Sequence, residues 1–180
     1  MMQAIEKVLI SEEMLREKVS ELAAQISSDY EGKDLVLVSI LKGGFVFAAD
    51  LCRAITIPAA IDFMVVSSYG ASSKTSGVVK ILKDLDKSVE GKDILIVEDI
   101  LDSGVTLSYL KELLIQRGVS SIKICTILNK PSRRQANIQP DYLGFDIPDE
   151  FVVGYGLDYD EKYRNLPFVG ILKREIYENE

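Results

Sequence analysis

Nine consecutive residues carry the densest chemistry in the chain: Glu98-Asp99-Ile100-Leu101-Asp102-Ser103-Gly104-Val105-Thr106. Two adjacent carboxylates, a third acid and a small hydroxyl–glycine turn suit a phosphorylated sugar. Backbone N–H groups of such a turn, and of a helix that follows it, attract phosphate, and Ser103 and Thr106 add hydroxyl donors. Glu98 and Asp99 would repel that phosphate unless a sugar diol or Mg²⁺ sat on them; hard carboxylate oxygens match both. The chemistry implied is a sugar phosphate handled with magnesium. For a lone Asp-Ser-Gly turn, an ordinary βα loop with acidic residues at the helix start is an equal reading.

Such a motif needs a strand before it and a helix after it. Ile94-Leu95-Ile96-Val97 is the apolar run of a buried strand, and Leu107, Leu110, Leu113 and Leu114 mark one face of a helix. In open α/β sheets, ligands bind outside the carboxyl ends of the strands, where this motif falls. The rest of the chain alternates in the same way, which predicts an α/β fold with a mostly parallel twisted sheet flanked by helices. Ser11 ahead of Glu12 and Glu13 predicts an N-cap and acidic first turn for a helix running to about Tyr30. Leu35 to Ile40 reads as a strand, followed by Leu41-Lys42-Gly43-Gly44 and a helix from about Phe45. Ile61 to Val66 is the next strand, and Ser67 to Gly77 is a mobile loop by composition. Gly118 behind Arg117 stops the helix after the motif. Ser121 to Leu128 is a further strand, ending in Asn129-Lys130-Pro131. From Pro140 onward the alternation breaks into Pro, Gly, Tyr and acids, which predicts irregular structure lying over the strand ends.

The 180 residues suit one domain, 1–180, with enough chain for a sizeable core. With 47% hydrophobic and 27% charged residues, the composition is that of a globular protein. The net charge of −7 disfavours non-specific nucleic-acid binding. Cys52 and Cys125 lie far apart and outside any metal-ligand spacing, as buried thiols would. The chain has no histidine, which removes Ser-His-Asp and Cys-His catalysis and a typical zinc site. Any general base must be Asp, Glu, Lys or Tyr. Met1 to Glu13 lacks the apolar stretch of a signal peptide, and no run approaches the roughly 18 apolar residues of a membrane span. No membrane partner and a cytoplasmic location are expected.

In a parallel sheet, two more strand ends point the same way as the motif. Gly43 and Gly44 let backbone approach a ligand, and Lys42 adds charge beside the exposed N–H groups, a suitable cradle for diphosphate. Taken alone, the pair is more simply a turn before a helix. Lys130 alone is an exposed lysine at a strand end. Further on, Asp149 to Pro167 places an aromatic, small residues, carboxylates and an arginine in one irregular segment. Phe151 could stack on a planar ring and Arg164 could grip phosphate. On composition alone, a core Phe151 and a surface ion pair at Arg164 are the simpler reading.

Taken together, these segments resemble a known family. Glu98 to Thr106 is similar to the phosphoribosyl diphosphate motif of type I phosphoribosyltransferases. Phe151 to Pro167 resembles the C-terminal signature of their hypoxanthine-guanine members. Leu41 to Gly44, the Ser68-Tyr69 loop and Lys130 occur in that family's order, so the likeness runs from about Val36 to Val169. It implies the type I fold with a small hood, contributed mainly by the N-terminal segment and about 130–180. It also implies that Asp102, Ser103, Gly104, Val105 and Thr106 hold the 5′-phosphate, and that Glu98 and Asp99 hold the ribose hydroxyls directly or through Mg²⁺. Lys42 and Gly43 would meet the diphosphate, with the Leu41–Lys42 peptide often cis in the family, and Arg164 would face the leaving group. Lys130 would donate to the purine 6-oxo group, Phe151 would stack on the base, and Val152 would contact it through its backbone. Asp158 matches a residue that ligates a second Mg²⁺. Ser68 and Tyr69 belong to the loop expected to close over the site.

The activity implied is magnesium-dependent transfer of a 5-phosphoribosyl group to N9 of hypoxanthine or guanine, with Asp102 the base at purine N7–H. The partners implied are these small molecules and further copies of the chain, as a homodimer or homotetramer. The alternative is a regulator on the same fold that senses phosphoribosyl diphosphate and binds nucleic acid. Lys130 together with Phe151–Asp158, a purine-site stretch, argues against it.

Overall fold

Every apolar run that the sequence marks as a strand between Leu35 and Leu128 enters one sheet. The computed structural model describes residues 1–69 and 78–178. Its elements are β1 (Ile5–Ile10), α1 (Glu12–Asp29), β2 (Leu35–Leu41), α2 (Phe45–Ala54), β3 (Ala59–Tyr69), β4 (Val78–Lys83), β5 (Asp93–Leu101), α3 (Val105–Gln116), β6 (Ser121–Asn129), β7 (Tyr142–Asp146), β8 (Val152–Val153), β9 (Val169–Leu172) and the short turn α4 (Arg174–Tyr177). The main sheet has the order β4-β3-β2-β5-β6-β7, parallel throughout except for the antiparallel β3–β4 edge. A smaller sheet, β1-β9-β8, is antiparallel and joins the two ends of the chain.

Helices cover both faces of the main sheet, which explains why its central strands are apolar without alternation. Within β5, Leu95 and Val97 enter the core under α1 and α2, while Ile94 and Ile96 enter the core under α3. Ser11 caps α1 as its type and position predict, its hydroxyl accepting from the Met14 N–H at 3.2 Å. Helix α3 stops at Arg117, and Gly118 takes the left-handed φ of +76°. After β2 the chain crosses to β3 on one side, while β5 lies on the other. The β2–β5 boundary is therefore the switch point, and the loops after both strands open into the same crevice.

Three expectations need correction, and one strand goes unmarked in the sequence. Residues 142–146 are not irregular: β7 adds a sixth strand, parallel to β6. Its Gly144 obscures the pattern because a Cβ there would lie 2.2 Å from the Ile127 carbonyl oxygen. The N-terminal segment carries β1, in which only Ile5 and Ile10 are buried, so no alternation shows. The loop expected from Ser67 begins later, because Ser67–Tyr69 extend β3 against β4; its remaining residues, 70–77, lie outside the described ones. Cys125 is buried as expected, but Cys52 is only half-buried.

Candidate functional site

The carboxyl ends of β2, β5 and β6 deliver Lys42, the Glu98–Thr106 turn and Lys130 to one side of the sheet. At the end of β5, Asp99 is buried and Glu98 half-buried. Burial raises both carboxyl pKa values, and the adjacent Asp99 charge raises Glu98 further. Two carboxylates that resist ionising together are a donor set a divalent cation or sugar hydroxyls would stabilise. Gly43 lies so close that a Cβ there would sit 1.8 Å from Asp99 Oδ2. A Cβ at Gly156 would sit 2.1 Å from the Gly43 carbonyl oxygen. Three segments distant in sequence thus meet at these two glycines, with the Leu41–Lys42 peptide cis.

The turn after β5 borders a cavity of about 280 Å³ lined by Glu98, Asp99, Asp102, Ser103, Gly104 and Thr106. Gly104 adopts φ +78° at the N-cap of α3, and Val105 is the helix's first residue. The Val105 N–H points to Ser103 Oγ at 3.4 Å. A helix start of this kind, with hydroxyls beside it, has the donors that suit an anion.

A second cavity, of about 440 Å³, is lined by Lys130, Phe151, Val152, Asp158 and Tyr177 among others, and Asp102 borders both. Asp102 Oδ1 is buried without a hydrogen-bond partner. Lys130 is buried, contrary to the simpler sequence reading, and donates to the Glu150 carbonyl at 2.9 Å. Burial lowers its pKa. Phe151 is not core; it is 38% exposed. Its ring stacks on Tyr177 with centroids 4.9 Å apart and meets Tyr159 edge-on at 5.7 Å.

Other candidates stand at the margins. Lys42 Nζ pairs with Glu161 at 3.0 Å, both exposed, and lines neither cavity. Arg164 pairs with Asp158 at 2.9 Å and donates to the Gly156 carbonyl at 2.8 Å. No three Asp, Glu, Cys or His side chains among the described residues group closely enough to hold a metal by themselves. Asp158 therefore does not complete a protein-only cage with Glu98 and Asp99. Ser68 and Tyr69 end β3, paired with Val79 and Val78.

Sequence reasoning missed Arg134, which donates from Nε to the Asp102 carbonyl at 3.0 Å and also to Leu101, Ile138 and Asn129. It ties the turn's backbone to the segment after β6. Nothing in the sequence separates Arg134 from the exposed Arg133 beside it. Arg174 and Tyr177 on α4 also line the second cavity, and no local pattern marked them.

This geometry has known counterparts. Residues 9–160 match the phosphoribosyl transferase domain family. The chain is 58% identical over 175 residues to the hypoxanthine-guanine phosphoribosyltransferase of Bacillus subtilis (strain 168), covering 97% of each chain. It is 49% identical over 180 residues to that of Mycobacterium tuberculosis (strain H37Rv), covering 97% of this chain and 89% of the relative. The crystal structure of a hypoxanthine phosphoribosyltransferase from Staphylococcus aureus superposes with a TM-score of 0.96 at 52% identity, covering 99% of this chain and 97% of that one.

Proposed function

The chain belongs to the phosphoribosyltransferase family, among its hypoxanthine-guanine members, and from that premise we propose how its residues carry out purine salvage. The reaction transfers the 5-phosphoribosyl group of phosphoribosyl diphosphate to N9 of hypoxanthine or guanine, giving IMP or GMP and diphosphate. One observation carries the assignment of roles: Asp102, with a buried and unpartnered Oδ1, borders both the hydroxyl-and-acid cavity and the aromatic one.

In this reading Ser103, Gly104, Val105 and Thr106 hold the 5′-phosphate with N–H and hydroxyl donors. Glu98 and Asp99 hold the ribose hydroxyls. Lys130 donates to the 6-oxo group, Phe151 stacks on the ring and Val152 contacts its edge. Asp102 accepts the N7 proton while N9 bonds to C1′ and the C1′–O bond to diphosphate breaks. Lys42, Gly43 and Arg164 receive the charge that develops on the leaving group. Lys42 exchanges Glu161 for diphosphate at small cost, because water and salt screen an ion pair this exposed.

The paired carboxylates at Glu98 and Asp99 fit Mg²⁺, with Asp158 a ligand to a second ion. Without a protein-only cage, water and substrate oxygens would complete the shells, as Mg²⁺ favours. Bound there, the metal supplies charge neutralisation to the diphosphate.

The three-stranded sheet, with 130–180, forms the hood of a single domain spanning 1–180. The α1–α2 face exposes Met14 and Phe45 beside a groove lined by Leu15, Val19, Val46, Leu166 and Pro167, which supports a homodimer or homotetramer. No described helix is long and apolar enough to cross a membrane. Two free thiols fit a reducing cytoplasm.

The test is to follow nucleotide formation from phosphoribosyl diphosphate and Mg²⁺ with hypoxanthine, guanine, xanthine, adenine and uracil in turn. Turnover confined to 6-oxopurines is expected, and absence of turnover with every base would overturn the reading.

A further inference from the structure

We propose that the C-terminal turn α4 belongs to the base subsite, with Tyr177 a positioning residue that sets the ring plane of Phe151 for stacking on the purine. This rests on the base-site reading of the 440 Å³ cavity given above. Phe151 lies outside the apolar cores and is 38% exposed. A ring so placed holds one orientation only if something backs it. Tyr177 does so, stacked at 4.9 Å with the planes 24° apart, while Tyr159 meets Phe151 edge-on.

Two anchors bring these rings together at one end of the small sheet, where the start of β8 lies beside the end of β9. The Phe151 carbonyl accepts from the Leu172 N–H at 2.8 Å, fixing the backbone of the stacking residue to the end of β9. The chain then turns at Lys173, whose N–H donates to the Ala4 carbonyl at 3.0 Å, and α4 carries Tyr177 back over Phe151. Tyr177 and Ile176 pack against the core formed by Ile5, Val153, Leu166 and Leu172. The platform is thus braced on a core that both chain termini help to build.

The spacing decides which face the base takes. A purine between the two rings would need centroids roughly 7 Å apart, twice the ~3.5 Å contact distance. At 4.9 Å there is no room. The base uses the other face of Phe151, and Tyr177 remains behind it.

The experiment measures KM for hypoxanthine, guanine and phosphoribosyl diphosphate separately in the full-length enzyme and in Tyr177→Ala, Tyr177→Leu and Tyr177→Phe. Leucine keeps the apolar contact with the small-sheet core but removes the ring; phenylalanine keeps the ring. Alanine and leucine are expected to raise purine KM about fivefold, the scale of one aromatic pair. Phosphoribosyl diphosphate KM stays within about twofold, and phenylalanine restores purine KM. Unchanged purine KM, or a parallel rise for both substrates, would overturn the proposal. A lower purine KM in the alanine variant would also overturn it, showing that Tyr177 competes with the base. If the unaltered enzyme turned over no 6-oxopurine, the base-site reading would itself fail, an outcome distinct from these.

Discussion

The turn after β5 and the platform around Phe151, which we propose take the two ends of one reaction, are assembled differently. In the turn, the groups come from nine consecutive residues, and their placement follows from a strand handing over to a helix. The platform draws on β6, the segment before β8, and α4, held by contacts between residues far apart in sequence. Phosphate is recognised by backbone N–H groups that any well-formed helix start presents, so a short local sequence suffices. A planar base needs a flat apolar surface and one polar group at its edge, which no short turn offers. Asp102 belongs to the first region by chain and borders the second by position.

The difference can be broken or sharpened by substitutions that separate the two ends. Asp102→Asn keeps size and turn but removes the base. Turnover should fall about 100-fold or more, while KM for either substrate changes little. Survival of turnover in steady-state assays would show that Asp102 is not the base. Gly104→Ala acts on the sugar end alone: φ is +78°, and the new Cβ would lie 2.5 Å from Ile138 Cγ2. The strain of about 2 kcal/mol should drive the unliganded turn out of this conformation, so affinity for phosphoribosyl diphosphate by calorimetry should drop by up to about 30-fold. Purine KM measured at saturating phosphoribosyl diphosphate should hold. Lys130→Met acts on the base end alone, and loss of one charged donor predicts a roughly tenfold rise in purine KM. Equal damage to both substrates would mean that the two ends are coupled through the β6 loop.

The smallest effect lies away from both ends. Arg117 holds Asp84 through two contacts of 2.7 Å and lowers its pKa below the usual carboxylate value. The sign follows from that lowering: the pair stabilises the fold above the unfolded-state Asp pKa, and its contribution is lost as pH falls through the folded one. Because both side chains are substantially solvent-exposed, Asp84→Asn should cost under about 1 kcal/mol. At neutral pH Tm should drop about 2 °C, with both KM values intact.

The amino-acid sequence by itself determined the alternating strands and helices from Leu35 to Leu128, the Ser11 cap and the turn between β5 and α3. In each, the deciding interactions lie within a few residues: apolar periodicity, a hydroxyl reaching a helix N–H, a glycine at positive φ. The roles proposed for Lys130, Phe151 and Arg164 come only through likeness to a family, because their types alone fit a surface as well as a site. Only the tertiary structure decided that Lys130 is buried against Glu150, that Arg134 rather than Arg133 braces the Asp102 backbone, and that Tyr177 lies on Phe151. It also decided that 142–146 form a strand and that Gly43 lies against Asp99. Each of these depends on which distant segment the fold brings alongside, and residue type and short-range spacing carry no record of that partner.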